Sequence, residues 1–293
     1  MNRSTICRLA NAFIGLAVFS SAAPSYAVEL WGILPATNQI VRVNPLTGDV
    51  SAGFTPPGGT LTAGQLFGGL SIAEGGAVML YQNPVANPTS LFRLNPDTGA
   101  LLSTEFMPAA TGDPQHRAGL SYASDAGAAG ADAIFAVNDG APVQRQDGYG
   151  DATLSNHTPP NALFAGALGG DDNGRHFLAA LSIANAPVIW EFNPSTPNAI
   201  INTLPAPFTN APIGGLAFDG QNIYLSAFDG RLWTIDPDTG AVLNNVLVNE
   251  GGLIGLAARA IPEPSAGALI LIACAGVLYG HRRNQSRDSR RTC

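Results

Sequence analysis

Gly215-Leu216-Ala217-Phe218-Asp219 opens a stretch, ending at Val248, whose reading decides the fold. A turn at Gly220-Gln221-Asn222 leads into Ile223-Tyr224-Leu225-Ser226-Ala227-Phe228. Asp229-Gly230 turns the chain again, into Leu232-Trp233-Thr234-Ile235, and Asp236-Pro237-Asp238-Thr239-Gly240 then leads into Ala241 to Val248. Each apolar run is short, rich in β-branched and aromatic side chains, and bounded by Gly, Pro, Asn or Asp. That punctuation marks strands joined by tight turns. The stretch therefore predicts four consecutive short strands within 34 residues.

Parts of this unit recur along the chain. Its second turn motif has sister copies at Asn44-Pro45-Leu46-Thr47-Gly48, Asn95-Pro96-Asp97-Thr98-Gly99 and Asn193-Pro194-Ser195-Thr196-Pro197, at intervals of 51, 98 and 43 residues. The Asn or Asp bonds its own backbone, Pro fixes φ, and Gly supplies a left-handed exit. An alternating strand precedes each copy (Ile40–Val43, Leu91–Leu94, Val188–Phe192, Leu232–Ile235) and another apolar run follows it, so each copy reads as a β-hairpin. The 98-residue interval implies a lost or diverged copy. The opening motif recurs as Gly68-Gly69-Leu70-Ser71-Ile72 and Ala118-Gly119-Leu120-Ser121-Tyr122. A weaker version is either Ala179-Ala180-Leu181-Ser182 or the earlier Phe164 to Leu168.

Repeats of 40–50 residues with four strands apiece are the signature of a β-propeller, one sheet per blade. The unit is similar to propeller blades common among exported bacterial repeat proteins, without the tryptophan signature of quinoprotein propellers or the Trp-Asp dipeptide of eukaryotic ones. Val28–Leu34, Gln39–Val43 and Val50–Phe54 supply three strands without an opening motif, and Leu253 to Ala258 supplies an opening motif without its blade. The expectation is five blades of about 47 residues, the first closed by the C-terminal strand, which removes open sheet edges. Six blades is the alternative. The third blade, from Gly119 to about Ser155, is the most divergent: Gly127–Gly130 and a loop over Gln144–Asp151 are read in place of its usual turns.

Composition bounds the function. Residues 28–261 carry 7 Arg and 19 Asp or Glu (7 − 19 = −12), and the whole chain has no lysine. An acidic surface repels phosphate backbones, so nucleic acid is not an expected partner. Schiff-base and lysine-base chemistry is excluded. Cys7, Cys274 and Cys293 all lie outside residues 28–261, so that body has no disulfide framework and stands on its apolar core.

Candidate chemical sites read mostly as structure. Asp171-Asp172-Asn173-Gly174 could begin a calcium loop, but further ligands and a closing glutamate are missing, and a hairpin turn accounts for it. His116, His157 and His176 have no metal-ligand spacing and read as isolated loop residues. Ser71, Ser121 and Ser182 lack a nucleophile elbow. Trp190 and Trp233 hold equivalent places in their hairpins, which favours packing between blades over sugar stacking. No catalytic, cofactor-binding or metal-ligating residue is assigned.

The two ends of the chain give an address. Arg3 and Arg8 precede an apolar stretch from Leu9 to Phe19, and Ser25-Tyr26-Ala27 ends in small residues at −1 and −3, a secretory signal helix cut between Ala27 and Val28. Near the other end stand Pro262-Glu263-Pro264, an uncharged run through 265–280 that predicts a hydrophobic helix, and a tail with Arg282, Arg283, Arg287, Arg290 and Arg291. From Pro264 to Gly280 the run has 17 residues, about 25 Å as a helix and marginal for a bilayer core of about 30 Å. The basic tail marks the cytoplasmic side. This order of parts resembles the PEP-CTERM sorting signal of Gram-negative bacteria. The resemblance implies Sec export, a transient anchor in the inner membrane, processing by an exosortase near Pro262-Glu263-Pro264, and release to the cell surface or beyond. It also implies a link to extracellular polysaccharide. Two functions follow as expectations: a propeller that binds or builds the cell envelope or matrix, or an exported lactonase-like hydrolase with a metal in its central tunnel. Carboxylates and amides converging on the axis would favour the second, and a narrow apolar axis would oppose it.

Overall fold

The computed structural model describes residues 26–57, 68–82, 90–106, 117–126, 131–138, 143–149, 154–157, 162–171, 174–208 and 213–262. They form five four-stranded sheets, the blades of a β-propeller whose body is Val28–Ala260. Blade 1 holds β1 (Tyr26–Leu34), β2 (Gln39–Val43) and β3 (Val50–Phe54). Blade 2 holds β4 (Gly69–Ala73), β5 (Val78–Gln82), β6 (Ser90–Leu94) and β7 (Leu101–Phe106). Blade 3 holds β8 (Arg117–Ala123), β9 (Ala133–Asn138), β10 (Val143–Asp147) and β11 (Leu154–His157). Blade 4 holds β12 (Ala162–Gly170), β13 (His176–Ser182), β14 (Pro187–Asn193) and β15 (Thr196–Pro205). Blade 5 holds β16 (Ile213–Phe218), β17 (Ile223–Ala227), β18 (Arg231–Ile235) and β19 (Val242–Leu247). The last strand, β20 (Ile254–Pro262), pairs with β1 and completes blade 1 in the order β20-β1-β2-β3.

Five blades and C-terminal closure match the sequence expectation; the six-blade alternative falls. Two readings are corrected. The inner strand of blade 4 is β12, the earlier of the two candidates, while Ala179–Ser182 lies in the second strand, β13. Residues 144–147 are not loop but the third strand of blade 3, paired with β9 on one side and β11 on the other. Buried Gln144 and Gln146 stand where sister strands carry aliphatic or aromatic side chains, so the apolar alternation that announces a strand is broken there. The expected signal helix and the 265–280 helix lie outside the described residues. Among those described, no helix is long and apolar enough to cross a membrane.

The hairpin turns obey their chemistry. The side chains of Asn44, Asn95, Asn193 and Asp236 accept from the main-chain N–H two residues on, at 2.8–2.9 Å. Gly48, Gly99 and Gly240 take φ of 78°, 71° and 73°. At Gly240 a Cβ would also meet the Pro205 ring at 2.6 Å, so this turn needs glycine for its dihedral and for its seat against blade 4. The copy at 193–197 lacks the glycine, and there β15 begins at Thr196, inside the motif.

Hydrophobic burial is divided among the five seams between blades. Trp31, Ile33 and Ile40 pack on Met79, Tyr81 and Leu94 between blades 1 and 2. Leu80 and Leu91 meet Leu120, Tyr122 and Ile134 at the next seam. Phe135 and Val137 meet Trp190 and Phe192, and Phe177 and Ile189 meet Phe218 and Trp233. Tyr224 and Leu232 close the circle on Leu30, Val41 and Leu253. Trp190 and Trp233 thus pack between blades, as their repeat positions predicted.

A polar contact accompanies every seam, and each reaches a hairpin turn of the following blade. Arg42 and Arg259 of blade 1 approach the Asp97 carboxylate at 3.8 and 2.6 Å. Arg93 stacks over Tyr149, its Cζ 4.6 Å from the ring centroid. Arg145 donates to the Ser195 carbonyl at 3.4 Å. Arg175 lies 3.1 Å from the Asp238 carboxylate and donates to the Pro237 carbonyl. Asn244 donates to the Pro45 carbonyl at 3.0 Å across the seam that joins last blade to first. The recurring turn is thus a docking element between blades as well as a local reversal.

Candidate functional site

The axis is where a propeller enzyme would gather its ligands, and here the inner strands close it. Each presents a glycine to the next strand round the circle. A Cβ on Gly255 would come within 2.4 Å of the Gly68 carbonyl oxygen, on Gly69 within 2.4 Å of Leu120 Cγ, and on Gly119 within 2.4 Å of the Leu168 nitrogen. On Gly169 it would meet Leu216 Cδ2 at 2.6 Å, and on Gly215 the Leu256 nitrogen at 2.6 Å. At Gly255, Gly119 and Gly215 the neighbouring main chain takes the place of a side chain, and at Gly69 and Gly169 a leucine side chain comes nearest. Leu70, Leu120, Leu168, Leu216 and Leu256 hold the same place in their strands and are all buried. The axial space measures about 10 Å³ and is lined by Leu70, Leu120 and Leu256 with Ser71, Ala217 and Gly169 among others. That is room for about one water.

One mouth of the axis widens into a cavity of about 280 Å³ where the inner strands end, bordered by Asp171, Asp219 and Arg259. These charges are committed to the fold. Asp219 accepts from the N–H groups of Gln221 and Asn222 at 2.8 and 2.7 Å and from Tyr224 Oη at 2.8 Å. Burial, with the Asp219 carboxylate beside it, pushes the Tyr224 phenol well above its ordinary range. Asp171 Oδ1 accepts from the Arg175 N–H at 3.1 Å, and the Asp171 carbonyl from Gly174 at 3.3 Å. The candidate calcium loop lies between β12 and β13, and its Asp172 and Asn173 fall outside the described residues. Among the described residues no three His, Cys, Asp or Glu side chains are placed to hold a metal.

The histidines give one correction. His157 and His176 lie in strands, not loops; His116 falls outside the described residues. His176 is fully buried between blades 3 and 4, its Nδ1 2.7 Å from Ser121 Oγ, which belongs to the inner strand of blade 3. Phe135 and Phe192 flank the ring at 5.5 and 5.6 Å between centroids. Burial pushes its pKa down to about 3, so the imidazole is neutral. Sequence alone does not pair Ser121 with His176: 55 residues separate them, and only the docking of two blades joins them. Both side chains are fully buried, and the bond joins two blades in the core. Ser71 Oγ bonds the Ile72 carbonyl and Ser182 Oγ accepts from the Ala186 N–H, both local.

The residues at which processing is expected are placed in part. Ala27 and Val28 lie in β1, and Pro262 is the last residue of β20. Arg259 bonds Glu29, and the Leu253 side chain abuts Gly32, so the two strands run antiparallel in one sheet. Ala27–Val28, where the sequence predicts cleavage, and Pro262 thus lie at the same end of adjacent strands. Glu263, Pro264, residues 265–280, Arg282 and Arg283 lie outside the described residues.

No protein-family model matches the chain, and no curated protein matches it. Solved structures similar to it include a chain of the mitotic checkpoint complex, 14% identical with a TM-score of 0.41 over 67% of this chain and 56% of that one. The computationally designed Ika8 protein is 14% identical with a TM-score of 0.38, over 75% and 61% of the two chains. BamB from Moraxella catarrhalis is 12% identical with a TM-score of 0.33, over 75% and 61%. The chain spans less than two thirds of the length of each of these three.

Proposed function

We propose that this chain is an exported, exosortase-sorted protein of the cell envelope or extracellular matrix of a Gram-negative bacterium, whose propeller is a binding or structural module associated with exopolysaccharide. The observation that carries the reading is the order Pro262-Glu263-Pro264, uncharged segment, arginine tail, opposite an export signal at the other end. On this reading the Sec machinery exports the chain, the inner membrane holds it transiently, and an exosortase processes it near the motif. The hydrolase alternative needs carboxylates and amides gathered at the axis. Leucine side chains and glycine contacts occupy that place, so the binding module is the better supported of the two.

The test is made in the producing bacterium. Replacing Pro262, Glu263 and Pro264 together by alanine is expected to leave the protein in the inner membrane with its arginine tail attached. The mature protein in either case is expected to begin at Val28 by mass spectrometry. Arrival of the altered protein at the same final location as the original would contradict the sorting assignment, and a mature form retaining Arg3 and Arg8 would contradict the export signal.

A further inference from the structure

Three blades repeat one arrangement just before the hairpin turn. The residue two places before the turn motif lies opposite a residue of the second strand: Arg42 opposite Trp31 in blade 1, Arg93 opposite Leu80 in blade 2, and Glu191 opposite Phe177 in blade 4. In blades 2 and 4 the charged member is engaged. Arg93 donates to Glu74 at 2.5 Å, and Glu191 accepts from Arg175 at 2.7 and 3.1 Å. Blade 1 differs at both positions. Arg259 already donates to Glu29 and Asp97, which leaves Arg42 only ion pairs at 3.5 and 3.8 Å and a place over the Trp31 ring. The Arg42 guanidinium makes no hydrogen bond to any described residue. Trp31 brings an indole N–H where Leu80 and Phe177 bring none, and its Nε1 is buried without an acceptor among the described residues. A buried donor left unpaired is costly and calls for a partner.

Trp31 and Arg42 line one cavity of about 170 Å³ between blade 1 and the turn of blade 2, with Phe54, Pro96, Asp97 and Thr98. β3 is bulged opposite Ile40 and Arg42, and the bulge shapes the wall. The lining passes from buried Trp31 and Ile40 to Arg42 and Asp97, whose side chains are 41 and 59% exposed, so the charged end is open to solvent. The volume is that of about six waters at about 30 Å³ each, which suits one small molecule. Its chemistry follows from the lining. Arg42 offers a planar fork of donors matched to a carboxylate, the indole offers one donor more, and Ile40, Phe54 and Pro96 offer apolar walls for a short body. Arg42 and Arg259 are balanced by Glu29 and Asp97, and the body carries a formal −12, so one negative charge is tolerated and a phosphate dianion is not favoured. We propose that this cavity is a binding site for a small monocarboxylate, held on Arg42 by its carboxylate and accepting from Trp31 Nε1. The site stands apart from the sorting assignment, since it rests only on the propeller.

The exported protein, produced isotopically labelled from the full precursor, is titrated while its indole N–H resonances are followed by NMR. The chain has three tryptophans, and Trp31→Phe identifies the resonance of Trp31. The probes are benzoate and glucuronate, one carboxylate on an aromatic and one on a sugar body, with benzamide and glucose as their uncharged counterparts. A saturating shift of the Trp31 resonance is expected with at least one acid, at a Kd of about 0.1–1 mM, and none with its uncharged counterpart. Which acid binds distinguishes a free aromatic acid from an acidic sugar. Arg42→Met is expected to weaken binding about tenfold or more, and a dispersed Trp31 resonance in the free variant shows that the fold is kept. Asp97→Asn is expected to tighten binding, because it removes a carboxylate that competes for Arg42. The sister turns carry Leu46 and Ser195 in that place, so the turn tolerates the change. No shift with either acid up to about 20 mM, an equal shift with the uncharged counterpart, unchanged binding in Arg42→Met, or an Asp97→Asn protein that binds no tighter overturns the proposal.

Discussion

Arg259 on the last strand donates to the Glu29 carboxylate on the first, a 3.0 Å bond from Nε between residues 230 apart in the chain. The same guanidinium donates to the Gly76 carbonyl at 3.0 Å and to Asp97 at 2.6 Å, and lies over the Trp31 ring at 5.3 Å. One side chain therefore ties the closing strand to its own blade and to the next. Arg259→Met keeps the aliphatic stem and removes every one of these bonds. Glu29 is mostly buried and would keep only Arg42, at 3.5 Å, so the loss is expected to exceed that of an exposed pair, at about 1–3 kcal/mol. Urea unfolding measures it; a loss indistinguishable from zero would show that the network contributes nothing to closure. The bond from Arg259 holds the Asp97 carboxyl below its ordinary range, so the stability Asp97 contributes is present above that range and fades as pH falls through its lowered value. In Arg259→Met that part of the acid dependence is expected to vanish.

His176 sets a second pH dependence. Its pKa is about 3 in the fold against an ordinary 6.5. Above 6.5 the ring is neutral in folded and unfolded chain alike, and the fold suffers no penalty. As pH falls below 6.5 the unfolded chain binds the proton and the folded chain does not, so stability drains until pH approaches 3. At about pH 4.5 the loss amounts to about 2–3 kcal/mol. His176→Phe removes the titrating group from this aromatic pocket, and its stability is expected to fall less steeply than the original protein's between pH 6.5 and about pH 4.5. Parallel stability curves for the two proteins would mean that His176 is protonated without cost in the fold.

The contacts round the axis predict steep intolerance at Gly119. A Cβ there meets the Leu168 main-chain nitrogen, which no rotamer change can move aside. Gly119→Ala is expected to cost about 2–3 kcal/mol, the scale of overpacking in a rigid core. Gly69→Ala meets the Leu120 side chain, which can partly yield, and should cost less. If thermal melts ranked the two the other way round, the inner strands would have to be more yielding than their close backbone approach allows.

Arg175→Met tests the seam between blades 4 and 5. Arg175 holds the Glu191 carboxylate at 2.7 and 3.1 Å, and with the guanidinium gone the buried Glu191 has no cationic partner from that position. The expected loss is about 2–3 kcal/mol, because an uncompensated buried charge outweighs the value of the pair itself. Glu191→Gln in the same background should recover part of it. No recovery would place the effect in Arg175's packing over Phe177 and Phe218.

What was legible in the sequence was local. Asn95-Pro96-Asp97-Thr98-Gly99 and its sisters encode their turns in contiguous residues, and Gly215 to Phe218 shows an inner strand without reference to anything distant. Closure was legible because Leu253 to Ala258 repeats that motif with no blade of its own. The third strand of blade 3 was hidden, since Gln144 and Gln146 place polar side chains at buried positions. The Ser121–His176 pair and the Arg259 network were not legible at all. Their partners lie 55 and up to 230 residues apart and meet only when blades dock, which periodicity does not encode. One signal was available for the network: Asp97 and Asp238, third in their turns, accept no bond that the turn itself requires.

Closure by β20 is the central claim, and a truncation tests it most directly. Leu253, Ile254 and Leu256 are fully buried, and their burial contributes about 1.5–3 kcal/mol each. The strand adds several main-chain hydrogen bonds at about 1 kcal/mol each. That sum is comparable to the whole stability of a domain, about 5–15 kcal/mol. A chain from Val28 to Glu250 is therefore expected to aggregate or to melt far below one from Val28 to Ile261. Equal melting temperatures for the two would contradict the closure and, with it, the completion of the first blade by the last strand.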